Sequence, residues 1–268
     1  DEAQTGTEYL SITERVSMSR LFLRKDEVRA SYRVSSWQSV LFSEFEAQMS
    51  SDARPFPCIF GVAGYRQDQL RYLFLDPLDT DALGKQLALF VSESRSHGPN
   101  TSLVLFTRPR PVQTLDAYYK KFWRILDQLA RIDKQPWPAH IPQTIDDPMW
   151  EFSFAGEPIF VVCSTPAHVM RQSRRSSAFM LTFQPRWVFE KILGTDRAAA
   201  KAFGEVRKRL APFDTTTASP LLGRYGDPEG REYKQYFLYD DNEPPPACPF
   251  HRLAQTKLPS VEDKEQAA

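Results

Sequence analysis

Three places in the chain bring together side chains that could do chemistry. The first is Pro57-Cys58, preceded by Pro55 and Phe56. A cysteine thiolate can ligate haem iron and push electron density toward O–O cleavage, an axial arrangement suited to monooxygenation. A buried structural thiol is the commoner fate of a lone cysteine. The second is His168-Val169-Met170-Arg171-Gln172-Ser173-Arg174-Arg175. At helical spacing His168 and Arg171 share a face that Arg174 or Arg175 continues, so an imidazole would stand beside two guanidinium groups. That set could ligate iron and pair with propionates, hold a phosphate or carboxylate, or simply form a solvated basic face. The third is Tyr239-Asp240-Asp241-Asn242 with Cys248-Pro249-Phe250-His251 close behind. Its carboxylates could seat a guanidinium or a metal, or lie in a polar loop packed by Phe250. Glu151 and Glu157 carry the same two readings.

The elements that must position these residues follow from periodicity and punctuation. Trp37, Val40, Leu41, Phe45 and Met49 mark one face of a helix, with Ser35 or Ser36 as N-cap. The prolines around Phe56 predict a rigid, non-helical approach to Cys58. Tyr72–Leu75 reads as a strand, Leu78–Val91 as a helix and Ser102–Thr107 as a strand. Thr114 opens the strongest helix, whose wide apolar stripe runs through Tyr118, Phe122, Trp123 and Leu126 to near Ile132. Residues 135–148, rich in proline, read as an extended loop. Trp150–Phe154 and Pro158–Ser164 form a hairpin turning at Ala155-Gly156-Glu157. Thr165-Pro166 predicts a short helix through His168 and Arg171. Ser177–Phe183 is a strand, Arg186–Leu193 and Asp196–Leu210 are helices, and Tyr233–Tyr239 is a strand candidate. The segment before about Arg33 takes no assignment.

Helices mixed with a hairpin predict an α+β (mixed α/β) fold, a single domain with a central mixed sheet flanked by helices. The domain is expected over 35–254, with 1–34 an N-terminal extension and 255–268 a disordered tail. At 268 residues the chain can bury about three quarters of its unfolded surface without a disulfide or metal staple. Its 34 basic and 34 acidic residues cancel, so it lacks the broad positive field of nonspecific nucleic-acid binders. No apolar run approaches the ~18 residues of a membrane span, and no signal-peptide core is visible. Three cysteines without CxxC spacing indicate neither a disulfide framework nor a zinc site, which points to a reducing cytoplasm. Aromatic residues make up 13%, enough for a thick core, a planar cofactor, or both. Phosphate-loop, dinucleotide, HExxH, GxSxG and CxxCH motifs are all missing, so spacing alone stops at a soluble α/β domain.

Several stretches, taken in order, resemble the YqcI/YcgG family. They are Pro55-Phe56-Pro57-Cys58, Trp137-Pro138-Ala139-His140-Ile141-Pro142, Trp150-Glu151-Phe152 and Gly156-Glu157-Pro158. Further on come Thr165-Pro166-Ala167-His168, Arg171-Gln172-Ser173-Arg174, the run from Phe183 to Glu190 (FQPRWVFE), Lys234–Leu238 and Cys248-Pro249-Phe250. The similarity runs from about residue 35 to 251. Some members of that family are haem proteins of natural-product (antibiotic) pathways that hydroxylate guanidine nitrogens. The resemblance therefore implies a haem b monooxygenase acting on L-arginine or a related guanidino compound, with O₂ or peroxide and an external electron donor. Under it the axial ligand is expected at Cys58, then His168, then Cys248, and the propionates at Arg171 and Arg174. The substrate guanidinium is expected at Glu151, with Asp240 and Asp241 in reserve, and its α-carboxylate at Arg186 or Lys234. Two rival readings are a haem or gas-binding protein without turnover and a non-haem iron oxygenase.

Overall fold

Besides the helix that starts at Cys58, four helices begin on oxygen-bearing side chains that accept a hydrogen bond from the first turn, which is why their starts are sharp. In the computed structural model, which describes residues 19–192 and 195–243, these are Ser36, Asp79, Thr114 and Thr195. The helices are α1 (Lys25–Ser31), α2 (Trp37–Ser50), α3 (Ile59–Arg66), α4 (Thr80–His97), α5 (Leu115–Ile132), α6 (Arg186–Ile192) and α7 (Asp196–Phe213). Five strands accompany them: β1 (Arg71–Leu75), β2 (Leu103–Thr107), β3 (Ser153–Phe154), β4 (Glu157–Ser164) and β5 (Met180–Pro185). Single 3₁₀ turns sit at Gln172–Arg174 and Glu232–Gln235.

The strands make one mixed sheet in the order β1-β2-β5-β4-β3. β1 and β2 run parallel, and the remaining pairs are antiparallel. The pleat sends alternate residues to opposite faces. Leu73, Leu105, Leu181, Phe183, Val161 and Cys163 share one core with the buried stripe of α5 and with Leu83, Leu87 and Phe90 of α4. Tyr72, Val104, Phe106 and Met180 meet Leu41, Phe42, Phe45 and Met49 of α2 in a second core. Helices thus cover both faces of a single-domain mixed α/β fold. Among the described residues no helix is long and apolar enough to cross a membrane.

The two largest differences from the sequence reading share one cause: side chains that capture backbone groups. The Thr165–Arg171 stretch is not a helix. The carboxylate of Asp240 accepts the N–H groups of Val169, Met170 and Arg171 at 2.7–3.0 Å, taking the donors an α-turn would use. The strand expected at Tyr233–Tyr239 is a 3₁₀ turn followed by irregular chain, because its carbonyls are met by arginine side chains. The Trp150–Phe154 strand shortens to Ser153–Phe154. Its turn is one residue tighter than expected, because Glu157 already pairs with Phe154 in the ladder. Ala155 and Gly156 both have positive φ (54° and 76°), as a two-residue type I′ hairpin turn requires. The fifth strand lies at Met180–Pro185, a few residues beyond Ser177–Phe183. The N-terminal stretch that resisted assignment supplies Leu23, which bridges to Tyr72 of β1, and the fully buried Phe22 and Val28.

Phe122 on α5 has no exposed surface. Phe122→Ala should lower unfolding stability by about 3–5 kcal/mol, read as a fall in the urea midpoint.

Candidate functional site

On the sheet face occupied by α2 and α3, the β4–β5 end is left open. There Phe160 and Val162 of β4 and Gln184 of β5 floor a cleft of about 380 Å³. Phe56-Pro57-Cys58 close one side, α6 and α7 another, and the 222–238 segment a third. Its walls are mainly apolar: Phe56, Phe60, Phe160, Phe189, Phe203 and Tyr225 supply rings, and Val206, Leu210 and Leu222 fill between them. An enclosed apolar cleft with a few converging polar groups is the usual form of a small-molecule site.

Cys58 stands at the N-cap of α3, where Sγ accepts the Gly61 N–H at 3.3 Å. Burial pushes its thiol up, while the N–H groups of Gly61 and Phe60 and the charge of Arg174 pull the other way. Arg174 lines the same wall. It donates to the carbonyls of Tyr236 (3.1 Å) and Gln235 (3.0 Å), and no carboxylate among the described residues forms an ion pair with it. Burial, then the neighbouring Arg171, pulls its guanidinium down to about 10. Arg171 also borders the cleft, but its donors are spread over Tyr239 O, Thr217 O, Asp241 O and Asn242 Oδ1, with Asp214 3.9 Å away.

The opposite end is acidic. Arg186, the first residue of α6, makes a bidentate pair with Glu151, Nε to Oε2 at 2.6 Å and Nη2 to Oε1 at 2.7 Å. Its Nη2 also donates to Oε1 of Glu232 at 2.6 Å, and the Tyr225 ring centroid lies 3.7 Å from its Cζ. Burial raises the carboxyls of both glutamates, Glu151 to about 8, although Arg186 works against the rise. For Arg186 burial acts downward, but the two carboxylates outweigh it and the net shift is upward.

The cleft therefore unites Cys58, Arg171, Arg174 and Arg186 of the sequence-derived set. Glu151 lies behind Arg186, wholly buried, with its carboxylate already on a guanidinium of the protein itself. Arg186, expected to meet an α-carboxylate, is likewise held by two glutamates. His168 is off the cleft and fully buried. Nδ1 faces Thr165 Oγ1 at 2.9 Å and Nε2 faces Leu238 O at 2.8 Å, which leaves neither nitrogen for a metal. Burial pulls its pKa down to about 4, so it is a neutral ring. The carboxylate of Asp240 is filled by three backbone N–H groups, Asp241 is exposed, and Lys234 lies beside the Tyr233 ring outside the cleft. Cys248 lies outside the described residues. Glu232, Tyr225 and Phe203 were not singled out from the sequence. The face of α7 was legible, since Phe203, Val206 and Leu210 recur at helical spacing, whereas nothing local marks Glu232. Among the described residues no three His, Cys, Asp or Glu side chains converge on a point where they could hold a metal ion.

The profile of the YqcI/YcgG family matches residues 45–251. The chain belongs to this family. Every cleft residue named above falls within the matched span. Among relatives, the YcgG protein of Bacillus subtilis is 38% identical over 233 residues, covering 84% of this chain and 92% of its own length. YqcI of the same organism is 36% identical over 244 residues, covering 88% and 96%. Both are named as uncharacterized. DcsA of Streptomyces lavendulae, named provisionally as an N(omega)-hydroxy-L-arginine synthase, is 28% identical over 228 residues, covering 81% and 85%. No solved structure matches.

A carboxyl whose folded pKa lies above its unfolded value favours the folded state below the unfolded pKa. That contribution is lost as pH rises through the folded pKa. Buried His168 and His97, held neutral, act in the opposite sense below about pH 6.5. Urea midpoints should therefore fall between about pH 6.5 and pH 8, and Glu151→Gln should flatten that slope. A midpoint that climbs over this range in the native protein would contradict the raised carboxyls.

Proposed function

We propose that this YqcI/YcgG protein is a cytoplasmic, haem-dependent monooxygenase of natural-product biosynthesis that hydroxylates a guanidine nitrogen, with L-arginine the first substrate to test. The observation that carries this reading is the pairing on one cleft wall of the Cys58 thiol with Arg174, a buried guanidinium that no described carboxylate neutralises. A thiolate is a fitting iron ligand, an unneutralised guanidinium fits a carboxylate arm, and rings flanking an apolar slot fit a flat macrocycle. The residues present thus suit haem b. They also suit it better than a bare iron ion, since a porphyrin brings its own equatorial ligands and asks the protein for one axial donor. The similarity to DcsA supports a guanidino substrate.

Haem in this position would supply the activation of dioxygen or peroxide, chemistry that no side chain performs. The electrons come from an external donor, because the sequence carries no flavin or nicotinamide motif. The rest falls to the chain's own groups. Cys58 would ligate the iron, and the Gly61 N–H at its Sγ favours the thiolate. Arg174 would hold an anionic arm, with the charge of Arg171 beside it. The apolar walls exclude water, and the Glu232 end of the cleft faces the cationic substrate.

Purified protein supplied with haem should show a Soret band. Incubation with L-arginine, reductant and air should give a product heavier by one oxygen atom, seen by mass spectrometry. A pigment without that product would leave a haem-binding protein with no turnover, and a folded preparation that titrates no porphyrin would overturn the reading outright. Cys58→Ala should abolish the thiolate-type absorption of the ferrous–CO form; if that signature survives, Cys58 is not the ligand. Arg174→Leu should weaken haem binding by about tenfold or more, the scale of one charge-assisted hydrogen bond.

A further inference from the structure

Arg186 is matched against two carboxylates, so with both ionised the cluster would carry one negative charge more than it can neutralise. Glu151 uses both oxygens on Arg186 and has no exposed surface. Glu232 differs. It lines the cleft, is 6% exposed, and gives Arg186 only Oε1; Oε2 makes no hydrogen bond among the described residues. A buried carboxylate with half its acceptor capacity unused is costly unless it takes a proton or a second cation.

We infer that Glu232 is the residue that selects the substrate's guanidinium, with Arg186 locked onto Glu151 as the fixed group against which the substrate is registered. The inference rests on the guanidino-substrate reading above and replaces Glu151 with Glu232 as the recognising carboxylate. A guanidinium entering the cleft would meet Oε2 of Glu232 and turn two carboxylates on one cation into two on two. The ring of Phe189, on the same wall, offers a further face to the cation. Neutral isosteres gain nothing from this charge.

Such recognition moves a proton. The charged and titratable groups that act on Glu232 are Arg186 of α6, Glu151 ahead of β3, Tyr225 of the 214–231 loop and Tyr236, while Glu190 and Arg224 line the same cleft. With burial raising both glutamates, the ligand-free cluster holds a proton near neutral pH. The arriving guanidinium keeps its own proton, so the one on the carboxyl pair leaves to buffer. Binding then tightens as pH rises, and levels off once the pair is ionised without help.

The experiment is calorimetric titration of the purified protein with L-arginine and, in parallel, with L-citrulline, which replaces guanidinium by a neutral ureido group. Runs at pH 7 in buffers of different ionisation enthalpy count the protons. L-arginine should release a proton and bind more tightly at pH 8.5 than at pH 6.5; L-citrulline should release none. Glu232→Gln should cost L-arginine about tenfold or more in affinity, bringing it to the level of L-citrulline, and should abolish proton release while haem uptake is unchanged. Glu232→Asp keeps the charge on a shorter arm and should retain proton release with weaker binding, which covers the case of a poorly folded Gln variant. Wild-type-like affinity in Glu232→Gln, or arginine binding with no proton released, overturns the inference alone. If the native protein binds neither L-arginine nor guanidinium chloride, the guanidino-substrate reading falls with it.

Discussion

Irregular backbone can be buried only if its carbonyls and N–H groups find partners, and here the partners are buried arginines. Residues 232–242 form no strand and only one 3₁₀ turn, yet Tyr236, Phe237 and Leu238 are almost wholly buried. Arg174 binds the carbonyls of Gln235 and Tyr236, and Arg171 those of Tyr239 and Asp241. Arg186 fixes the side chain of Glu232. Asp240 answers in the other direction, gathering three N–H groups of the 169–171 turn. Two segments that could each have been regular are instead laced together, and that lacing forms the far wall of the cleft.

The cleft inherits a polarity from this arrangement. Arg174, whose partners are neutral carbonyls, leaves positive charge beside Cys58, and the two carboxyls on Arg186 make an acidic group at the other end. Apolar side chains separate the two. A ligand with anionic arms at one end and a cationic head meeting it from the other would satisfy both, which is the combination of porphyrin and guanidino compound proposed above. His168, the second candidate for a metal ligand, is instead a neutral fastener between Thr165 and Leu238.

Much of the scaffold was legible in the sequence because it obeys local rules. Ser36 and Thr114 cap where expected, the α5 stripe packs where its periodicity says it should, and Ala155-Gly156 turns the hairpin. The proline-framed approach to Cys58 is likewise a local matter, and the thiol lies on the cleft. Failures occur where a distant side chain overrides local preference. Thr165-Pro166 is a sound helix start, but Asp240, some seventy residues on, claims the donors. Tyr233–Tyr239 alternates like a strand, but guanidinium groups claim its acceptors. For the same reason Glu151 looked available: its partner, Arg186, is 35 residues away, and no spacing rule links them. Glu232 carries no local signal.

The walls of the cleft come from stretches scattered between Phe56 and Leu238, none of which encloses space by itself. A nascent or shortened chain ending before the 222–238 segment would lack the third wall. The cavity is thus a property of the finished fold, closed only by contacts of long sequence separation, which are entropically slow to form. Whatever occupies it bridges the first and last thirds of the domain like a clasp. Its binding energy then adds to the cohesion of the whole molecule and not only to that of the site.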